Sequence, residues 1–447
     1  MDRYQNMSHI LLNNNMLTAR IFRRGFATYT PKIAIIGAGA GGLSLSTQLL
    51  REKIVKPSEL LVVDSTPYHS YHGFSTMIAG GYFGDTDKAV DRWNNLYHRP
   101  IKKAFPKEIK LLSSLAKTFM PEQKKFITES GDEITYEILV LSPGLRHNFD
   151  VIEGAKEALA DPNSNVASMF DGLFGGRKMN RIRVGLKEGT AVFANTPQPA
   201  KCGGAPLKVC FLIEEYLQKK GIRDKVDVHF FNADKFLFPI PKYTVILDKL
   251  VKERNIITHY DMLLTKIDKE RKIATFQSKA DSKITQEIRY DSLHIAPHFA
   301  PLSAIKASPF VKENGYLDVD VKTLQHPKYK DVFCIGDAAD IPTSKTAAAI
   351  TVQTPIVVHN IKKVLNKETP NAIYDGYSVC PIFTGKDRML FCETLFQVPY
   401  HSYLMPNNRP KWSYYFVSRY FMPAFYWWFV PRGIWHGKRF IFKPKYK

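Results

Sequence analysis

At 447 residues, with 45% hydrophobic and 23% charged side chains, the chain is too long for one compact core and too apolar to be disordered throughout. Its formal charge of +21 admits three kinds of acidic partner, namely nucleic acid, an anionic membrane surface or an anionic small molecule, so the distribution of charge must choose among them. The cysteines, Cys202, Cys210, Cys334, Cys380 and Cys392, form no CxxC pair and no His/Cys cluster at metal-ligand spacing, which argues against a disulfide scaffold and a zinc module.

Residues 1–30 set Arg3, Arg20, Arg23 and Arg24 against one acid, Asp2, with Ile10, Leu11, Leu12, Leu17, Ile21 and Phe22 between them. This composition predicts a mitochondrial transit peptide processed near Arg24 to Thr28, the plain alternative being a disordered basic tail. From Lys32 the pattern predicts a strand at Ile33 to Ile36, a glycine turn, a helix at Leu43 to Leu50, and a strand at Leu60 to Val63 that closes on Asp64, a βαβ unit. A hairpin near Phe126 to Ile134 precedes an apolar strand, Ile138 to Leu141, that ends in Ser142-Pro143-Gly144. A second α/β pattern opens with strand Ala191 to Ala194. It continues through helix Pro206 to Leu217, strand Val226 to Phe231 and helix Tyr243 to Lys252, with further strands to about Tyr290. The chain then returns to its first unit through strand Val332 to Gly336. Cys380, between Gly376 and Pro381, is expected in a constrained loop, whereas Cys334 and Cys210 read as buried core; Cys392 is left open as a reactive thiol.

Beyond Glu393 there is no acid, while Arg409, Lys411, Arg419, Arg432, Lys438, Arg439, Lys443, Lys445 and Lys447 interleave with Trp412, Tyr414, Tyr415, Phe416, Tyr420, Phe421, Phe425, Tyr426, Trp427, Trp428, Phe429 and Trp435. No run of about 18 apolar residues occurs, so a spanning helix is not expected. Aromatic residues flanked by cations suit an interfacial, monotopic anchor on anionic lipid. A packed core or dimer interface is the bland alternative, and single-stranded nucleic acid the weakest; the reading adopted is membrane and no nucleic acid.

Gly37-Ala38-Gly39-Ala40-Gly41-Gly42 satisfies G-x-G-x-x-G between a strand and a helix. Gly37 permits the turn, Gly39 lets a pyrophosphate approach the backbone, and Gly42 allows close helix packing. Asp64 stands where a carboxylate accepts from a ribose 2′-OH. A second glycine fingerprint is absent: after Ala194 the chain reads Asn195-Thr196-Pro197-Gln198-Pro199-Ala200-Lys201-Cys202-Gly203-Gly204-Ala205-Pro206. Three prolines and a lysine there make a poor cradle for an NAD(P)H phosphate, while a helix N-terminus close to Cys202 favours its thiolate.

Gly336-Asp337 resembles the second FAD signature of the two-dinucleotide-fold flavoproteins, and Ser142-Pro143-Gly144 resembles their strand-end A-T-G motif. Together with Asn195 to Pro206, Leu324-Gln325-His326-Pro327, Gly336 to Ala349 and Tyr374 to Gly385, nearly the whole chain after residue 31 resembles the eukaryotic mitochondrial sulfide:quinone oxidoreductases. The resemblance implies an α/β fold of two Rossmann-like dinucleotide-binding domains of the flavoprotein disulfide reductase type plus a C-terminal membrane-associated region. The implied division is 31–165 and 291–390 for FAD, 166–290 for the second Rossmann-like domain, and 391–447 for the anchor. It implies FAD contacts from Gly37, Gly39, Gly41, Gly42, Asp64, Ala116, Gly144, Asp337 and Lys345, with His72 where the family pattern has Gln. Lys345 and the helix start that follows it could stabilise negative charge on the reduced flavin. It implies a redox pair of Cys202, facing the flavin, and Cys380, carrying persulfide sulfur. No cysteine precedes Cys202, which fits the mitochondrial rather than the bacterial type. The implied partners are hydrogen sulfide, ubiquinone and a sulfur acceptor such as glutathione, sulfite or cyanide, at the mitochondrial inner membrane. The rival functions are an NADH:quinone oxidoreductase on the same fold, which needs the missing glycine motif, and a non-catalytic flavoprotein interaction module.

Overall fold

The structure, a computed structural model, describes residues 26–400 and 407–446, so the transit-peptide expectation lies, up to residue 25, outside the described residues. The first unit begins with β1 (Ile33–Ile36), α1 (Ala40–Arg51) and β2 (Leu60–Val63), joined by α2 (Gly73–Ala79), β3 (Lys110–Leu112) and β4 (Ile138–Leu141). Every residue of β1, β2 and β4 is buried, which is what a parallel sheet covered on both faces demands. The second unit contributes β5 (Val166–Ala167), β6 (Gly189–Ala194), α3 (Ala205–Lys219), β7 (Val226–Asn232), α4 (Pro241–Glu253), β8 (Ile257–Tyr260) and β9 (Ser292–Ile295). These form a second parallel sheet in the order β5-β9-β6-β7-β8. The chain then re-enters the first sheet as β10 (Val332–Cys334), beside β4, to give the order β10-β4-β1-β2-β3. The strand and helix expectations for both units hold, with α1 starting three residues earlier than the apolar pattern suggests because its first turn is made of small residues.

After α5 (Ala347–Leu365) comes an antiparallel hairpin, β11 (Tyr377–Gly385) and β12 (Arg388–Leu395). This corrects one expectation: Cys380 lies within β11, directly across from Cys392 in β12, and not in a loop. Pro381 is accommodated because among the described residues the strand neighbours only β12, leaving one edge without a ladder donor to lose. The change of composition at residue 391 therefore falls inside a strand.

The tail is helical over α6 (Trp412–Phe416), a π-turn at Val417–Phe421 and α7 (Met422–Phe429). No helix among the described residues is long and apolar enough to cross a membrane. The tail has two faces, so the packed-core alternative is right for half of it. Thr47 and Gln48 on α1 donate to the carbonyls of Val430 and Trp435 at 2.8 and 2.7 Å. Trp427 is buried, donates its indole N–H to the Leu96 carbonyl at 2.7 Å, and lies under the Arg99 guanidinium. The opposite face leaves Trp412, Phe416, Tyr420, Phe421 and Trp428 exposed, continued by Phe440, Ile441 and Phe442.

These two faces differ measurably. Trp427→Ala, at 4% exposure, should cost about 3–5 kcal/mol in denaturant unfolding, whereas Trp428→Ala, at 60% exposure under Arg432, should cost about 1 kcal/mol or less. Equal losses would mean that the tail does not pack as described.

Candidate functional site

The glycine turn between β1 and α1 is built by exclusion. Gly37 has φ +100°, and a Cβ there would stand 2.1 Å from the Ser142 carbonyl; one at Gly42 would stand 1.8 Å from the Gly37 carbonyl. A Cβ at Gly41 would meet Ser142 Oγ at 2.1 Å, so the Ser142-Pro143-Gly144 turn after β4 closes over the loop. Gly39 is the exception: it is exposed, caps α1, and has no heavy atom within 4 Å of a Cβ position. That open edge beside a helix N-terminus is the cradle a pyrophosphate requires. Asp64, at the end of β2, accepts from the Ala38 amide at 2.7 Å, which fixes its carboxylate beside the loop.

The other flavin-side candidates gather at the ends of β4 and β10. Gly144 has φ +69° and Gly336 φ +78°, conformations that favour glycine. The Gly336 amide donates to Gln353 Oε1 at 2.9 Å, which orients the turn carrying Asp337. Thr346 caps α5 by accepting from the Ala349 amide. Lys345 has its ammonium on the Ala339 carbonyl at 2.5 Å and over the Tyr316 ring, while burial pulls its pKa down. Its main chain has a different engagement: Lys201 and Lys345 form an isolated parallel bridge, and the Cys202 amide donates to the Lys345 carbonyl at 3.0 Å. Ala116 begins the strand Ala116–Met120 and is buried, four residues beyond Leu112, whose carbonyl accepts from the Asp64 amide. His72 caps α2 and is exposed. The charge of Lys201, then desolvation, then His147 and His69 hold its imidazole well below the ordinary pKa.

Cys202 and Cys380, far apart in sequence, come close enough for each thiol to shift the protonation of the other. Cys202 sits just before α3 in a left-handed conformation, φ +50°. Cys380 reaches it from β11, and a Cβ at Gly204 would lie 3.3 Å from Cys380 Sγ and 2.5 Å from Ile382. Glycine there keeps the approach to the second sulfur open. The thiols are strongly unequal. The hydrogen bond from Cys380, and then the charge of Lys208, bring the Cys202 pKa to about 5 against the opposing effect of burial. The same hydrogen bond and desolvation push Cys380 up. Lys208 Nζ lies 3.1 Å from Cys202 Sγ, and its pKa is raised because attraction to the thiolates outweighs its desolvation. Cys210, Cys334 and Cys392 are buried with thiol pKa values raised mainly by desolvation, so Cys392 is near the pair but not activated like Cys202.

Lys208 was not singled out from sequence. Its signal is a single cation in the otherwise apolar run Ala205-Pro206-Leu207-Lys208-Val209-Cys210-Phe211-Leu212-Ile213, only 4% exposed in the structure. Where a second dinucleotide phosphate would need free amides, the turn fills itself. Asn195 Nδ2 donates to the Gly203 carbonyl and to Asn232 Oδ1, and a Cβ at Gly203 would meet Gln198 at 2.2 Å.

No family model matches the chain. It is 36% identical over 417 residues to the mitochondrial sulfide:quinone oxidoreductase of Dictyostelium discoideum, across 92% of this chain and 88% of that one. The sulfide:quinone oxidoreductase structure from the hyperthermophilic bacterium Aquifex aeolicus matches at TM-score 0.72 and 19% identity, across 91% of this chain and 92% of that one. A chain in the structure of the Tetrahymena thermophila mitochondrial ATP synthase matches at TM-score 0.79 and 24% identity, across 95% of this chain and all of the other. At these identities the two structures show a shared fold.

Lys208→Met should raise the Cys202 pKa, because removing the cation destabilises the thiolate. In the reduced protein, the midpoint of Cys202 alkylation by iodoacetamide should move upward by about one pH unit or more. An unchanged midpoint would remove Lys208 from the sulfur site.

Proposed function

The chain belongs to the mitochondrial sulfide:quinone oxidoreductase family, and from that premise we propose that it oxidises sulfide at a Cys202–Cys380 bridge and delivers the electrons through FAD to ubiquinone at the mitochondrial inner membrane. The single observation that carries the residue assignment is the convergence of Cys380 Sγ on the Cys202–Gly204 turn, with Lys208 Nζ at 3.1 Å from Cys202 Sγ. A bound flavin would supply a two-electron acceptor that a quinone can reoxidise. The residues fitted to hold it are Gly37, Gly39, Gly41 and Gly42 at the pyrophosphate, Asp64 at the ribose, and Ala116, Gly144, Asp337, Lys345 and His72 along the remainder.

The sulfur chemistry follows from the unequal thiols. Hydrosulfide attacks Cys380 of the bridge, a sulfur–sulfur bond forms at Cys380, and the bond to Cys202 breaks. The thiol of lower pKa leaves faster, so Cys202 departs as thiolate and Cys380 keeps the persulfide. Lys208 stabilises the departing charge. A small nucleophilic acceptor, with glutathione, sulfite and cyanide as candidates, takes the sulfane sulfur and leaves a second thiolate on Cys380. Closing the two thiolates to the bridge releases two electrons. The self-filled turn at Asn195 to Gly203 supports a donor other than NADH.

The exposed tail face, with Trp412, Tyr420 and Trp428 beside Lys411, Arg419 and Arg432, supports docking on anionic lipid. Deleting the tail would also strip Trp427 from its buried site, so surface substitution is the cleaner test. Trp412→Ala, Trp428→Ala and Phe442→Ala combined should weaken partition onto phosphatidylcholine–cardiolipin vesicles by about tenfold or more and slow long-tailed quinone reduction. Unchanged partition would place attachment elsewhere.

Cys202→Ser and Cys380→Ser should each abolish sulfide:quinone turnover with FAD content unchanged, because serine can neither bridge nor carry sulfane sulfur. Cys392→Ser is the control. Retained turnover in Cys380→Ser, with loss in Cys392→Ser, would overturn the pair.

A further inference from the structure

We propose that the C-terminal tail positions the dinucleotide loop through a two-bond relay, Tyr426 to His69 to Ala38, which couples flavin retention to tail packing. The proposal rests on the FAD reading of the glycine loop and adds to it residues outside the motif. Ala38 is the second residue of that loop. Its amide is held by Asp64 at 2.7 Å, and its carbonyl accepts from His69 Nδ1 at 2.8 Å. A trans peptide is planar, so the Ala38 carbonyl and the Gly39 N–H point in opposite directions. Holding the carbonyl on His69 therefore aims the Gly39 amide away from His69. Gly39 is the exposed glycine of the loop, with open space beside it. The relay thus sets the direction of the amide on which the pyrophosphate cradle depends.

The chemistry of His69 fixes the order of the bonds. A carbonyl only accepts, so Nδ1 carries the proton; Nε2 is then an acceptor and takes the Tyr426 hydroxyl at 2.6 Å. Burial brings the His69 pKa down to about 4, which keeps the ring neutral and this tautomer in place at neutral pH. The imidazole is 2% exposed, stacked on Tyr426 and edge-on to Trp427 and Phe105. Tyr426 belongs to α7, whose other side carries the exposed Trp428. One short helix therefore has the aromatic surface on one side and the support of the cofactor loop on the other. Coupling of two equilibria is reciprocal: whatever loosens the tail weakens FAD, and loss of FAD loosens the tail.

The test is a double-mutant cycle read by FAD dissociation, with fluorescence following flavin release from the purified holoprotein. Tyr426→Phe, which removes one hydroxyl, should weaken FAD by about three- to tenfold. His69→Asn places an amide N–H at the Nδ1 position and nothing at Nε2, so it should retain FAD better than His69→Ala. In that background Tyr426→Phe should add no further loss. In addition, stripping FAD from the native protein should speed tryptic cleavage after Arg432 and Arg439. Equal effects of Tyr426→Phe in both backgrounds would make it a packing residue and overturn the relay, as would no effect at all. Equal cleavage of FAD-free and FAD-bound protein would overturn the coupling. A native protein that binds no FAD would instead sink the flavin reading beneath it.

Discussion

The hydrogen bond from the Cys202 amide to the Lys345 carbonyl, with the adjoining Lys201–Lys345 bridge, joins the two Rossmann-like units at the one place where their chemistry must meet. Each unit is complete as a sheet without the other, but neither alone makes the site. The first holds the glycine cradle and the turn of Asp337; the second holds the cysteine turn before α3. Pinning that turn to the residue before the α5 cap sets Cys202 against the main chain of the first unit. The price is the left-handed backbone at Cys202, tolerated because α3, Lys345 and the hairpin together over-determine it.

The third element is the β11–β12 hairpin, which brings Cys380 to Cys202. Its Cys380 side packs on the second unit with Ile382, Leu390 and Cys392, while Tyr377, Val379 and Phe391 pack with the first unit and the tail. The hairpin thus packs against both the tail and the cysteine turn. Within the pair, Lys208 and the neighbouring thiol lower the Cys202 pKa while Cys380 is pushed up. In the proposed chemistry that asymmetry gives direction to attack on the bridge.

What the sequence made legible follows from which interactions are local. The glycine turn, Asp64 and strands β1, β2, β4, β6, β7 and β10 were readable because a steric rule or an apolar pattern announces each of them, whereas β3 and β5, of three and two residues, are too short to carry one. The fold class and the flavoprotein relationship came through the same motifs. Lys208 and the His69–Tyr426 contact were not readable, since each depends on segments far apart in the chain meeting in a buried place. Gly376 and Pro381 flank Cys380 and predict a loop; proline is permitted there by an edge of β11 that no strand among the described residues pairs with, a fact of sheet topology that no local pattern shows. The tail's aromatic density was legible, but its division into a packed face and an exposed face required α1 to be in place against it.

In the proposed function electrons enter from sulfide at the cysteine pair and not from a pyridine nucleotide at the second unit. Anaerobic titration of the FAD-loaded protein, without quinone, tests it most directly. Sulfide should bleach the flavin absorbance while NADH leaves it unchanged, and bleaching by NADH with none by sulfide would contradict the account.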